Sequence, residues 1–229
     1  MHTTRPGGTG QIGALLLTDA RLPGGGHAYS AGLEPGLRAG VPATAVPDYI
    51  AARLRTVGLV EASATVLAHR AVLETPRGLA AVHDALLART PSAPLRDVSG
   101  MLGRGLVRLV RRLAPDDPAV AHLDALGRTP QRPVVLGVAA AVLGASEEQA
   151  ARASLYDDAQ TVASASLKLA PVDPVDAAGW VLGAEPLIEE MVATALAVTD
   201  PADMPATAAP QADQWSLDHQ RETRRLFVA

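Results

Sequence analysis

Residues 100–114 read GMLGRGLVRLVRRLA, and this stretch decides the fold class. Leu102, Leu106, Leu109 and Leu113 recur at i, i+4, i+7 and i+11, the spacing of one face of an α-helix. Arg104, Arg108, Arg111 and Arg112 fall off that face, so the segment reads as an amphipathic helix laid on a core. Downstream, PVVLGVAAAVLG at 133–144 is apolar on every side, as expected of a central helix enclosed by its neighbours. Ser146, followed by Glu147, Glu148 and Gln149, has the pattern of a capping box that opens a long helix.

The same reasoning carried along the chain places helices at about 12–20, 28–39, 47–57, 59–74, 78–89, 93–113, 118–126, 133–144, 147–170 and 174–197. No alternating apolar pattern persists, and no longer period recurs. The expected fold is therefore all-α: a single-domain helical bundle of roughly ten helices. The bundle should span 12–198, after a flexible arm at 1–11 and before a proline-rich linker and tail at 199–229.

Composition narrows the possibilities. Apolar residues make up 48% of the 229 residues but aromatics only 3%, so the core must be built from Ala, Val and Leu at close range. A formal charge of −4 gives no global attraction for phosphate backbones, and nucleic acid is not an expected partner. The absence of cysteine excludes disulfides, thiolate metal sites and cysteine nucleophiles. The N-terminus, MHTTRPGGTG, lacks the order of a secretory signal, and no uninterrupted apolar run nears the roughly 18 residues that span a bilayer. A cytoplasmic protein is expected.

Several motifs have a functional and a bland reading. GGTGQIG at 7–13 resembles the glycine-rich turn of nucleotide-binding folds and would make the chain a nucleotide-dependent oxidoreductase. That turn requires a buried strand before it, and MHTTRP cannot supply one. Ser30 lacks the glycine at 28 that a nucleophile elbow needs. No two of the six histidines are spaced at i, i+4, so a closed metal site from one chain has no support; His27 and His219 are the two worth testing. No Walker-type Gly-Lys-Ser/Thr is present, and the chain is not expected to bind GTP by itself. The arginines of 104–112 form either a solvated face or a dock for an acidic partner, and would grip nucleic acid if the chain were a helical regulator. Leu226 and Phe227, the latter the only phenylalanine, lie behind the linker and could fold against the body of the chain or insert into a partner.

Four motifs in order carry a family resemblance. Leu22-Pro23 with Gly25-Gly26, followed by Tyr29-Ser30-x-Gly32-Leu33-Glu34, resembles the N-terminal signature of the urease accessory protein UreF family. The stretch 103–109, GRGLVRL, is similar to the family's GRSLLRL-like helix, and 165–171, ASLKLAP, to its apolar helix before a Pro-Leu-Gly-Gln turn. His219 and then Arg225-Leu226-Phe227 look like the family's C-terminal ending. The chain departs from the pattern at Asp173 in the turn, at Gln220 where glutamate is usual, and at Gly24 and His27.

The resemblance implies a non-enzymatic, cofactor-free adaptor, often a homodimer. It would bind UreD (UreH in some systems) and recruit the GTPase UreG, so that nickel reaches the urease apoprotein. The implied contact residues are Tyr29, Ser30, Gly32 and Glu34, with Pro23, Gly25 and Gly26 shaping the turn before them. Arg104 and Arg108 belong to the same set. His219, Glu222, Arg225, Leu226 and Phe227 form the tail that would pack into UreD.

Overall fold

In the computed structural model, which describes residues 10–19, 22, 28–74 and 78–228, every regular element among the described residues is helical. The α-helices are α1 (Gln11–Leu17), α2 (Leu33–Arg38), α3 (Val46–Arg53), α4 (Leu59–Glu74), α5 (Gly78–Ala88) and α6 (Ala93–Leu113). They continue with α7 (Ala119–Ala125), α8 (Arg132–Val142), α9 (Glu147–Leu169), α10 (Pro174–Gly183), α11 (Glu185–Leu196) and α12 (Pro210–Gln220).

Helix α8 is the centre, as its uniformly apolar sequence requires: Val134, Val135, Leu136, Val138, Ala139 and Ala140 are all essentially inaccessible. It meets α4 at very short range. A Cβ at Gly137 would lie 2.2 Å from the Thr65 carbonyl oxygen, so only glycine permits this crossing. The Thr65 hydroxyl donates to the Pro133 carbonyl at 3.1 Å and ties the two helices together.

Helix α4 is apolar on two sides and forms the wall between two core clusters. Val60, Ala64 and Leu67 join the cluster around α5, α6, α7 and α8, while Leu59, Ala62 and Val66 join one built from α2, α3, α9, α10 and α11. Such a two-sided helix needs small residues, and α4 has them. The capping box at the start of α9 forms in both directions, Gln149 N–H to Ser146 Oγ at 3.1 Å and Ser146 N–H to Gln149 Oε1 at 2.8 Å.

The structure differs from the sequence reading in instructive places. On α6, Leu102 and Leu106 are buried, but Leu109 is half-buried and Leu113 is 50% exposed; Val107 and Val110 take their place because the helix ends beyond its contact with α8. The two helices expected at 47–57 and 59–74 are one rod, joined through a π-helical turn at Leu54–Gly58. The stretch 43–74 is long and apolar enough to cross a membrane, yet 67% of its most apolar window is buried among the other helices. The helix expected at 174–197 is divided at Ala184, because Pro186 in the first turn of α11 has no N–H for the carbonyl of Leu182 and its ring clashes there.

Beyond Val198 the chain stays on the body. Arg70 donates to the Leu196 and Val198 carbonyls, Arg89 donates to those of Ala202 and Met204, and Met204 is buried. Helix α12 then packs on α2 and α6.

Candidate partner-binding site

The segment 28–34 turns sharply before α2 begins. Ala31 and Gly32 both adopt left-handed backbone, φ 53° and 79°, so the helix opens at Leu33 and not at 28. The Tyr49 hydroxyl donates to the Ala31 carbonyl at 2.7 Å and would stand 2.8 Å from a Cβ at Gly32. Glycine is required there on both counts. Ser30 is buried, and its Oγ accepts weakly from the Glu34 amide at 3.4 Å.

This turn aims the buried Glu34 carboxylate at the far end of the chain. Glu34 accepts from the amides of Leu226 (2.9 Å) and Phe227 (2.9 Å) and from Arg38 Nη2 (2.7 Å). Arg38 in turn donates to the Arg224 carbonyl at 2.6 Å and pairs with Glu222. His219, 1% exposed on α12, has Nε2 3.2 Å from the Phe227 carbonyl and 3.6 Å from Glu34. A carbonyl only accepts, so Nε2 carries the proton in this contact. The Val228 amide donates to the Ala28 carbonyl, closing the loop between the two ends.

Five residues singled out in the sequence, Glu34, His219, Glu222, Leu226 and Phe227, thus meet in one cluster. Phe227 is buried in the α9 side of the core, with Lys168 Nζ 5.3 Å from its ring centroid. Leu226 is 68% exposed and Arg225 points outward beside it. The tail is therefore folded on the body of the chain while offering an apolar and a cationic side chain to its surroundings. Arg104 and Arg108 lie exposed on α6 and, among the described residues, share no ion pair or hydrogen bond with this cluster. Pro23, Gly25, Gly26 and His27 lie outside the described residues.

Behind the tail lies a cavity of about 220 Å³ whose lining includes Tyr29, Arg53, Glu61, Arg132 and Asp158. Arg53 grips Asp158 bidentately, with Nε at 3.1 Å from both carboxylate oxygens and Nη2 at 2.5 Å from Oδ1. Arg132 holds Asp157 at 2.7 Å. Burial, with the Asp158 charge adding to it, pushes Glu61 up to about 7 against the pull of Arg132 and Arg53. Burial also raises the Tyr29 hydroxyl well above its ordinary range. Thr207, Ala208, Ala209 and Phe227 line the same cavity, so the C-terminal segment forms part of its wall.

The sequence reading missed these charged residues. One signal was present: Asp158 falls at i+3 from Leu155 and i−4 from Val162, on the apolar stripe of α9, where a charge demands a buried partner. Among the described residues no group of three or more His, Asp or Glu is placed to hold a metal ion. Two glycines of the nucleotide-type segment serve packing instead: a Cβ at Gly10 would lie 1.9 Å from the Gly144 carbonyl oxygen, and one at Gly13 2.6 Å from that of Leu143.

Comparison with known proteins shows the family of the chain. A model of the UreF family matches residues 42–185. The chain is 35% identical over 217 residues to the urease accessory protein UreF of Mycobacterium sp. (strain JLS), covering 94% of this chain and 97% of that one. It is 36% identical over 217 residues to that of Mycolicibacterium vanbaalenii (strain PYR-1), with the same coverage. To UreF of Mycobacterium tuberculosis (strain H37Rv) it is 33% identical over 221 residues, again 94% of this chain and 97% of its counterpart. Matched by the family model over residues 42–185 and by these relatives along nearly their whole length, the chain belongs to the UreF family of urease accessory proteins.

Proposed function

We propose that the chain is a cytoplasmic, non-enzymatic adaptor of urease maturation that binds UreD (UreH) through its C-terminal tail, which the buried 29–34 segment holds in place, and then recruits the GTPase UreG. Nickel delivery to the urease apoprotein is the outcome of that assembly, and a homodimer is its working unit. The observation that carries this reading is the clamp itself. Glu34, Arg38 and His219 fix the backbone of 222–228 while leaving Arg225 and Leu226 facing outward. Arginine and an exposed apolar side chain on a held backbone are the components of an interface anchor whose ordering cost is already met.

The test is co-production with UreD and UreG from the same source, with assembly mass read by light scattering on a sizing column. A stable complex with UreD that captures UreG in a nucleotide-dependent way is expected. Leu226→Asp, at an exposed site, should lose UreD while the isolated chain keeps its helical circular dichroism. A lone species beside folded partners would refute the adaptor role, and an unaffected Leu226→Asp variant would move the interface away from the tail.

A further inference from the structure

Most buried or half-buried arginines of this protein are spoken for. Arg53, Arg70, Arg132 and Arg152 each hold a carboxylate of another helix. The outer face of α6 is different. Arg104, Arg108 and Arg112 are exposed at i, i+4 and i+8, and among the described residues none makes an ion pair or a hydrogen bond. Arg111, beside them, is paired with Asp124 of α7. Three like charges one turn apart repel each other along the helix, and among the described residues no ion pair offsets them.

The ridge is rigidly presented. A Cβ at Gly103 would lie 1.9 Å from the Pro130 carbonyl oxygen, so the inner face of α6 is seated directly on backbone and cannot roll. The backbone positions of these arginines are thereby spaced about 6 Å apart along roughly 12 Å of helix axis. That spacing equals the distance between side chains four residues apart on any facing helix. Leu113, 50% exposed at the end of the row, adds an apolar contact.

We propose that this ridge docks an acidic helical segment of a protein partner, each of three carboxylates at i, i+4 and i+8 accepting from one guanidinium fork. Nucleic acid fits less well. The formal charge of the chain is −4, and three contacts in one short row sample little of a phosphate backbone. The surface is separate from the tail cluster, but Arg104 and Arg108 are among the contact residues that the family resemblance implies, so the inference rests on the adaptor reading and names the chemistry that would dock there.

The test uses the full-length chain and, as probe, a fluorescent alanine-based helical peptide with glutamate at every fourth position, beside its glutamine counterpart. In low salt the glutamate peptide should bind at least about tenfold more tightly, and added salt should erode the difference. The charge-reversed R104E/R108E/R112E and the neutral R104Q/R108Q/R112Q variants should both lose the preference with unchanged circular dichroism. The neutral variant gives the same reading if the reversed one does not fold. Equal affinity for the two peptides, a preference that survives in the neutral variant, or tighter binding of a duplex DNA oligonucleotide would each overturn the proposal. The experiment contains neither UreD nor UreG, so its failure leaves the adaptor reading intact.

Discussion

Removing the Glu34 carboxylate should free the C-terminus without unfolding the protein. In Glu34→Ala, the amides of Leu226 and Phe227 lose the acceptor that holds them at 2.9 Å, while Arg38, whose side chain is 40% exposed, is rehydrated. A hydrogen bond to a charged group contributes about 1.5–3 kcal/mol net, and the lower figure suits a segment at the surface. Two such bonds give about 3 kcal/mol, or roughly a hundredfold in the opening equilibrium. Hydrogen exchange read by mass spectrometry on the C-terminal peptide should therefore be about two orders of magnitude faster in the variant, with α8 as protected as before. Glu34→Gln keeps one acceptor oxygen and should fall between. Unchanged protection at 226–227 would show that Phe227 burial alone holds the tail; loss of protection in α8 would show that Glu34 supports the whole core.

Two further expectations follow from buried groups. Glu61 titrates near 7 in the folded protein against 4.5 when exposed, so the folded state binds the extra proton between those values and its stability falls as pH rises through that window. Glu61→Gln should remove this slope and be about 1–3 kcal/mol more stable than the parent at pH 8, measured by urea unfolding; parallel pH profiles would reject the assignment. Gly137→Ala would place a Cβ 2.2 Å from the Thr65 carbonyl oxygen and 2.9 Å from the His69 amide, both backbone atoms. It should cost at least about 1–3 kcal/mol and lower the melting temperature by several degrees, and an unchanged melting point would mean that α4 and α8 can separate freely.

What the sequence disclosed was what is local. The apolar run of α8, the capping box of α9 and the amphipathic α6 each carry their signal within a few turns, and the helices lie where those signals put them. Helix α12 carries no such signal because its buried face is Ala212, Ser216 and His219. It is held by tertiary contacts: Ser216 shares a hydrogen bond with Ser92 at 2.6 Å, and the Trp215 ring sits 3.0 Å from where a Cβ on Gly36 would be. Glu34 and the tail were singled out separately, yet nothing in one sequence says that residues 192 positions apart are bonded. The charged cavity was hidden for the same reason, since Arg53, Glu61, Arg132 and Asp158 come from four helices.

The π-helical turn at 54–58 sets a rule about chain length. It accommodates one more residue per turn than an α-helix, and Arg53 stands immediately before it while Leu59 and the whole of α4 follow. Deleting one residue within 54–58 would restore ordinary winding with the upstream phase nearly kept, whereas rewinding all five residues as α-helix would turn everything upstream by about 100° relative to α4. Arg53 would then swing off Asp158, leaving a carboxylate stranded in the interior, and Tyr49 would leave the Ala31 carbonyl that shapes the entrance to α2. The bulge works as a phase shifter, so that in this rod the count of residues matters as much as their identity.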